Sequence, residues 1–516
     1  ADKDGNVKTT EKEIAGGKNP FGNWSLGSMP IGQDNKPGAF TLYDDNKTFT
    51  TVGSLSNPGS LVWEDLIEDR HPYQPAPHTL NILNTLRTLG NPQRTYFMSE
   101  YGIGSGLNLF RMMRLYEQAG QDKALDAQGY AKRLEWFMND WNRWHMADTF
   151  GTPNRYLDLT LSEMGQLRLV GLNAIRANPN IVGHSMTGTA DQGNSGEGVI
   201  TLFRELKPNS MDALIDGWAP LRWCLFAEPI QLYSGETVQL EAVMANEDIL
   251  KTGVSYPAEI RVIDPHGWPV FVKNFEFTVP EKCPIGNLPP LAFGVFNEQV
   301  KIEGPTGEYK ILATLEKGGA PYGQEYSFFV TNRDTLPAVK TEVALWGEDE
   351  GLLNWLTANQ IPAQKYDPAK ITAPKVILVG NQPAGDKAAF AELAGQIARG
   401  SRVIFLNPGV FKLGDNPVAL LPLANKGSLH GLDTWLYHKD DWTTVHPFFQ
   451  GLPTGVMNYQ FYREIISAQA FSFDVPDEIA AGAINTTMGY SSGLMLTVHN
   501  LGAGKFALNT LKIRDN

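Results

Sequence analysis

Arg94-Thr95-Tyr96-Phe97-Met98-Ser99-Glu100-Tyr101-Gly102 is the stretch on which the reading of this chain turns. Tyr96, Phe97 and Met98 form a short β-prone run, and an acid, an aromatic and a glycine follow at once. A carboxylate at the C-terminal lip of a buried parallel strand is held rigidly by that strand, the position in which barrel proteins keep their reacting groups. Gly102 lets the chain turn away sharply behind it. Taken alone, the tetrapeptide Ser99–Gly102 fits an ordinary strand end with a solvated glutamate better, and the rest of the chain reverses that balance.

Outward from this stretch the pattern is α/β. Upstream, Leu61–Ile67 is a strand candidate running into Glu68-Asp69-Arg70-His71-Pro72-Tyr73. Thr79–Leu89 has helical apolar spacing (Leu80, Ile82, Leu83, Leu86), and Gly90-Asn91-Pro92 stops it. Strand, helix and strand in that order predict a parallel sheet. Downstream come three apolar stripes at helical spacing: Leu107, Phe110, Met113; then Ala127 to Trp141; then Leu161 to Ala174. Ile181–Thr187 reads as a further strand, followed by a loop over Asp191–Gly198. Residues 1–60 are rich in Gly, Asn, Asp, Pro and Thr and read as loops, with one strand near Ala39–Tyr43.

From about Trp223 to Val330 the texture is all-β, with strand candidates separated by turns such as Asp264-Pro265-His266-Gly267, which predicts an immunoglobulin-like sandwich. A polar linker over Asn332–Lys340 precedes a second βα rhythm: Val343–Trp346, a helix at Glu350–Asn359, Lys375–Gly380, a helix at Asp386–Arg399, then Arg402–Leu406. That order predicts a flavodoxin-like or amidotransferase-like doubly wound unit. An amidotransferase needs a nucleophilic cysteine on a tight strand-to-helix turn. Residues 341–516 contain none, so fold and not activity is implied.

The length of 516 residues corresponds to about three domains. A formal charge of −13 argues against a nucleic-acid surface, and neutral sugars are indifferent to it. The 12 Trp suit sugar-stacking clefts, and large cores as well. Cys224 and Cys283 are too few for a disulfide framework, no His/Asp/Glu spacing marks a metal site, and no apolar run approaches a membrane span.

The strand with Ser99-Glu100-Tyr101-Gly102 resembles the nucleophile strand of retaining glycosidases in glycoside hydrolase family 2, the β-galactosidase and β-glucuronidase group. Arg204-Glu205-Leu206-Lys207-Pro208 resembles the segment that closes barrels of that family. The resemblance implies a multidomain chain: the later part of a (β/α)8 TIM barrel over 1–218, the immunoglobulin-like sandwich over 219–333, and a non-catalytic flavodoxin-like α/β unit over 341–516. His446–Pro453 is similar in kind to a segment of such appended units. It implies Glu100 as nucleophile and Tyr73 as its hydroxyl partner, with a carbohydrate substrate and neither metal nor cofactor. His71, His184, Trp63 and Asp191 are candidate substrate contacts. A periplasmic or secreted location follows only from the family's usual role in polysaccharide breakdown.

Two departures stand out. Gly183-His184-Ser185-Met186-Thr187 is small and polar where the family carries an aromatic-rich run, which removes the expected Trp platform. No Asn-Glu pair, the family's acid/base signature, precedes Glu100; Asn246-Glu247 and Asn297-Glu298 fall in the sandwich. The expectation is a C-terminal portion of a longer enzyme, completed by an N-terminal fragment or partner chain, with little turnover by itself and oligomerisation open. The competing expectation is a non-catalytic carbohydrate-binding or assembly protein with a degenerate barrel.

Overall fold

Three parallel strands carry the site: β1 (Ile67–Arg70), β2 (Thr95–Tyr101) and β3 (Ile181–Met186), in the order β1-β2-β3. The computed structural model describes residues 67–90, 95–192, 195–282, 289–371, 373–380, 387–432, 439–457 and 459–514. The candidate strand near Ala39–Tyr43, most of Leu61–Ile67, Trp63 and Cys283 lie outside the described residues. Between β1 and β2 runs a helix over Leu80–Thr88, capped by Thr79, whose hydroxyl accepts the amide of Ile82. Between β2 and β3 the three apolar stripes become helices over Leu109–Gln118, Leu125–Arg143 and Pro153–Arg176. The last begins with Thr152 as cap and proline at its first position, where no amide hydrogen is needed.

Tyr96 and Met98 are fully buried, in one core with Leu83, Leu86, Leu167, Leu172 and Ile175. Phe97 points to the other face and stays 37% exposed, as does Val182 of β3 at 46%. The alternation then breaks. Met98 pairs with His184 and Tyr101 with Met186, so three steps along β2 match two along β3. One extra residue at Ser99–Glu100 makes a bulge, which flips the remainder of the strand to the opposite face. Tyr101 therefore takes the buried side in place of Glu100. Behind it, Gly171 of the Pro153–Arg176 helix leaves the space that the Tyr101 ring occupies; a Cβ there would overlap the hydroxyl. The expected closed eight-stranded barrel is not present among the described residues, which here form an open sheet of three parallel strands.

The second unit has two sheets over one core. One holds β4 (Leu221–Glu228), β6 (Thr237–Asn246) and β9 (Ala292–Lys301) in the order β4-β6-β9. The other, in the order β5-β11-β10-β7-β8, holds β5 (Gln231–Tyr233), β7 (Ser255–Ile263), β8 (Pro269–Thr278), β10 (Gly307–Leu315) and β11 (Glu325–Thr331). Trp223, Leu240, Val262, Ile311 and Phe328 interdigitate between them.

The third unit is a mixed sheet of eleven described strands. Its parallel part runs Ala363–Lys365, Val343–Trp346, Val376–Val379, Arg402–Phe405 and Gly504–Asn509, with helices over Glu350–Ala358 and Lys387–Ala398. The doubly wound pattern stops there. Ser491–Leu501 joins Gly504–Asn509 through a tight turn at Gly502, φ +61°, which forces an antiparallel pair, and the sheet continues antiparallel through Glu478–Asn485 to Asp440–Thr443.

The units interlock. Phe137, Trp141 and Tyr156 of the first share a core with Trp346, Phe405 and Trp442 of the third. Asn173 donates to the carbonyl of Leu225 (2.9 Å), and Arg463 forks onto Glu228 at 2.6 and 2.8 Å. No described helix is long and apolar enough to cross a membrane.

Candidate active site

The bulge places Glu100 at the lip of β2, with its side chain 42% exposed. Tyr73, three residues beyond β1, is buried, and its hydroxyl donates to Glu100 Oε2 at 2.6 Å. The Tyr73 hydroxyl oxygen also lies 2.7 Å from Thr187 Oγ1, just past β3. Since the phenol proton goes to Glu100, Thr187 is left to donate to Tyr73. Burial and the bond to Glu100 push the Tyr73 hydroxyl far above its ordinary range, so it keeps its proton and remains a donor.

His71 approaches the same Glu100 oxygen. Its Nε2 is 2.7 Å from Ser99 Oγ and its Nδ1 is 3.5 Å from Glu100 Oε2. Beneath the lip, His78 holds the strand end: burial brings its pKa down to about 4, so the ring is neutral. With Nδ1 3.1 Å from the Pro75 carbonyl, its proton sits there, leaving Nε2 to accept from Tyr101 at 3.0 Å.

A second carboxyl group, which sequence reasoning passed over, lies against this assembly. Glu197 is 6% exposed. A Cβ on Gly102 would stand 2.2 Å from its Oε1, and one on Gly188 would stand 3.3 Å from its Cγ. Two glycines just past β2 and β3 therefore make its berth. Arg168, wholly buried, donates to the Glu197 carbonyl. Ser105 N binds the Gly196 carbonyl at 2.9 Å, tying the Glu197 loop to the loop after β2. Burial, and then the charge of Glu100, raise the Glu197 pKa to about 7 against the pull of Arg168. The available signal was Gly196-Glu197-Gly198, an acid fixed between two residues that permit close backbone approach.

The remaining candidates are placed apart from Glu100 and Tyr73. Asp191 is buried in an ion pair with Lys207 (2.7 Å), and the same oxygen accepts the amide of Gly198 at 2.8 Å. Lys207 further donates to Ser105 Oγ and the Gly196 carbonyl, at 3.1 and 2.7 Å. His184 accepts from Trp218 Nε1 at 2.8 Å, and burial lowers its pKa to about 4. It lines a cavity of about 490 Å3 with Trp218, Arg176 and Glu247, which does not include Glu100 or Tyr73. Among the described residues no group of three or more His, Cys, Asp or Glu side chains could hold a metal ion.

No family model matches the chain, and no curated protein matches it in sequence. Solved structures that match in part include a β-D-mannosidase from Dictyoglomus thermophilum, with 14% identity, TM-score 0.31, and coverage of 53% of this chain and 32% of that one. A glycosyl hydrolase family 2 member from Bacteroides cellulosilyticus matches at 14% identity and TM-score 0.16, covering 36% and 25%. An alkylpurine DNA glycosylase from Pseudomonas fluorescens matches at 12% identity and TM-score 0.16, covering 24% and 36%. Likeness at this level does not separate one activity from another. The chain spans about a third of each of these solved proteins, or less.

Proposed function

We propose that this chain carries the nucleophile of a retaining β-glycosidase acting on oligo- or polysaccharides. The supporting observation is the 2.6 Å bond from a proton-retaining Tyr73 to Glu100 Oε2, on a strand lip that leaves the acid open to a ligand. In such a reaction a carboxylate attacks the anomeric carbon as a second carboxylic acid protonates the departing oxygen; water then cleaves the glycosyl ester. Glu100 supplies the attacking oxygen. Tyr73 fixes Oε2 and disperses its charge, and His71, held by Ser99, approaches the same oxygen. The acid for the leaving group comes from polypeptide that completes the strands around β1–β3 as a (β/α)8 barrel. The second and third units, with boundaries near 219–333 and 341–516, serve as an immunoglobulin-like sandwich and a non-catalytic brace.

Mechanism-based labelling tests the assignment. An activated 2-deoxy-2-fluoroglycoside forms its ester and loses it slowly, so the active protein is expected to gain one sugar mass on the peptide containing Glu100. A label on another residue, or none with an active preparation, removes Glu100 from the role. Tyr73→Phe deletes one hydrogen bond to a carboxylate, worth about 1.5–3 kcal/mol. Its expected cost is a roughly 10- to 100-fold lower kcat/KM, seen in steady-state kinetics with aryl glycosides.

A further inference from the structure

Glu197 has no part in the reaction just described, yet its geometry is too specific for a loop charge. Its Oε1 is buried and has no hydrogen-bond partner among the described residues. A buried acceptor without a donor costs free energy that folding does not ordinarily tolerate, and most of all when it is charged. The glycines at 102 and 188 hold the group in place regardless, one of them two residues from Glu100.

We propose that Glu197 is a positioning residue for Glu100: the two carboxyl groups carry one proton between them, kept on Glu197, so that Glu100 stays the charged member that Tyr73 orients. This rests on Glu100 being the nucleophile. The charges that act on Glu197 are those of Arg168 from the long helix, Glu100 from β2, and Lys207 and Asp191 from the loops beyond β3, and Glu197 acts in turn on the Tyr73 hydroxyl after β1. Asp191 and Lys207 neutralise each other at 2.7 Å, which leaves Arg168 and Glu100 as the opposing influences. Gly102, whose missing side chain seats Glu197 Oε1, stands two positions past Glu100, and two like charges at one such lip cannot both form cheaply, which keeps a proton on Glu197. When the second proton leaves, Glu197 becomes an anion in a berth built for a neutral group, and its repulsion displaces Glu100 from Tyr73.

The test compares wild type with Glu197→Gln, which keeps the volume and cannot ionise. Wild-type kcat/KM is expected to fall on the alkaline side through about pH 7, and Glu197→Gln to lack that limb. Thermal unfolding gives a readout independent of turnover. The Glu197 pKa is raised above its ordinary 4.5, so the folded protein holds a proton that the unfolded chain has released between about pH 4.5 and about pH 7. Wild-type stability therefore falls across that window as pH rises, and the Tm advantage of Glu197→Gln grows across it and then levels off. Identical pH profiles in both measurements overturn the proposal. A folded Glu197→Gln without activity at any pH overturns it too, since Glu197 would then be moving the proton itself. Should the variant not fold, the carboxyl-carbon shift of Glu197 in isotope-labelled wild type decides: a midpoint near an ordinary glutamate refutes it. Should the wild-type chain, assembled with the polypeptide that supplies the acid, turn over no glycoside, the glycosidase reading falls, while the thermal titration still judges where the proton resides.

Discussion

Glu100→Gln is expected to lower glycoside turnover by about 10^3-fold or more, because an amide oxygen is too weak a nucleophile to form the glycosyl ester. The fold should survive. The side chain is 42% exposed, glutamine has the same shape, and Tyr73 can still donate to the amide oxygen. Glu100→Ala makes the companion experiment, since it opens room for a small anion. With azide present and an activated aryl glycoside, activity should return and the product should be a glycosyl azide of inverted configuration. Wild-type kcat/KM in Glu100→Gln would end the proposal that this residue attacks the sugar. Unchanged affinity for an oligosaccharide, in a protein that never turned it over, would favour a binding protein.

Lys207→Met carries the largest expected effect on stability. Lys207 and Asp191 expose 0% and 2% of their side chains, and the ammonium also serves Ser105 and the Gly196 carbonyl. Removing one member of such a pair leaves the other charge buried without compensation, at about 3–5 kcal/mol. That is a large share of the ~5–15 kcal/mol by which domains are held folded. Burial lowers the lysine pKa to about 8 and pushes the aspartate up, so neither ion is held cheaply even when paired. The expected result is a markedly lower urea midpoint, with part of the loss recovered in the double variant Asp191→Asn/Lys207→Met, where no charge is stranded. A double variant no better than the single one would show that shape and not charge is what Lys207 contributes.

Much of the architecture was legible from residues alone, where periodicity was strong. The helix over Pro153–Arg176 declared itself by Leu161, Met164, Leu167, Gly171 and Ala174, and the strands Pro269–Thr278 and Gly307–Leu315 by turn residues on both sides. The strand Leu221–Glu228 was harder to bound, because seven of its eight residues are buried and no alternation marks its start. The antiparallel half of the third sheet depends on a tight turn at Gly502, a matter of local dihedral angles. At the site, Glu100 and Tyr73 could be read as an acid at a strand end and an aromatic after the preceding strand. Strict alternation would have sent Glu100 inward with Tyr96 and Met98; the bulge that redirects it leaves no mark in composition. Glu197 was missed for a related reason. Its significance lies in what Gly102 and Gly188 omit, and these glycines are 95 and 9 positions away in the chain.

The loop that follows Glu100 is gripped from far along the polypeptide: Leu107 N binds Thr486 Oγ1 at 2.7 Å across 379 positions, and Gly106 lies against Asp440 with no space for a side chain. At ~5–20 residues per second, a ribosome needs roughly 20–75 s to travel from one partner to the other. For that interval the nascent chain holds Glu100 and Tyr73 without the clasp that seats the neighbouring loop, so the strand lip is braced only after Thr486 has been made.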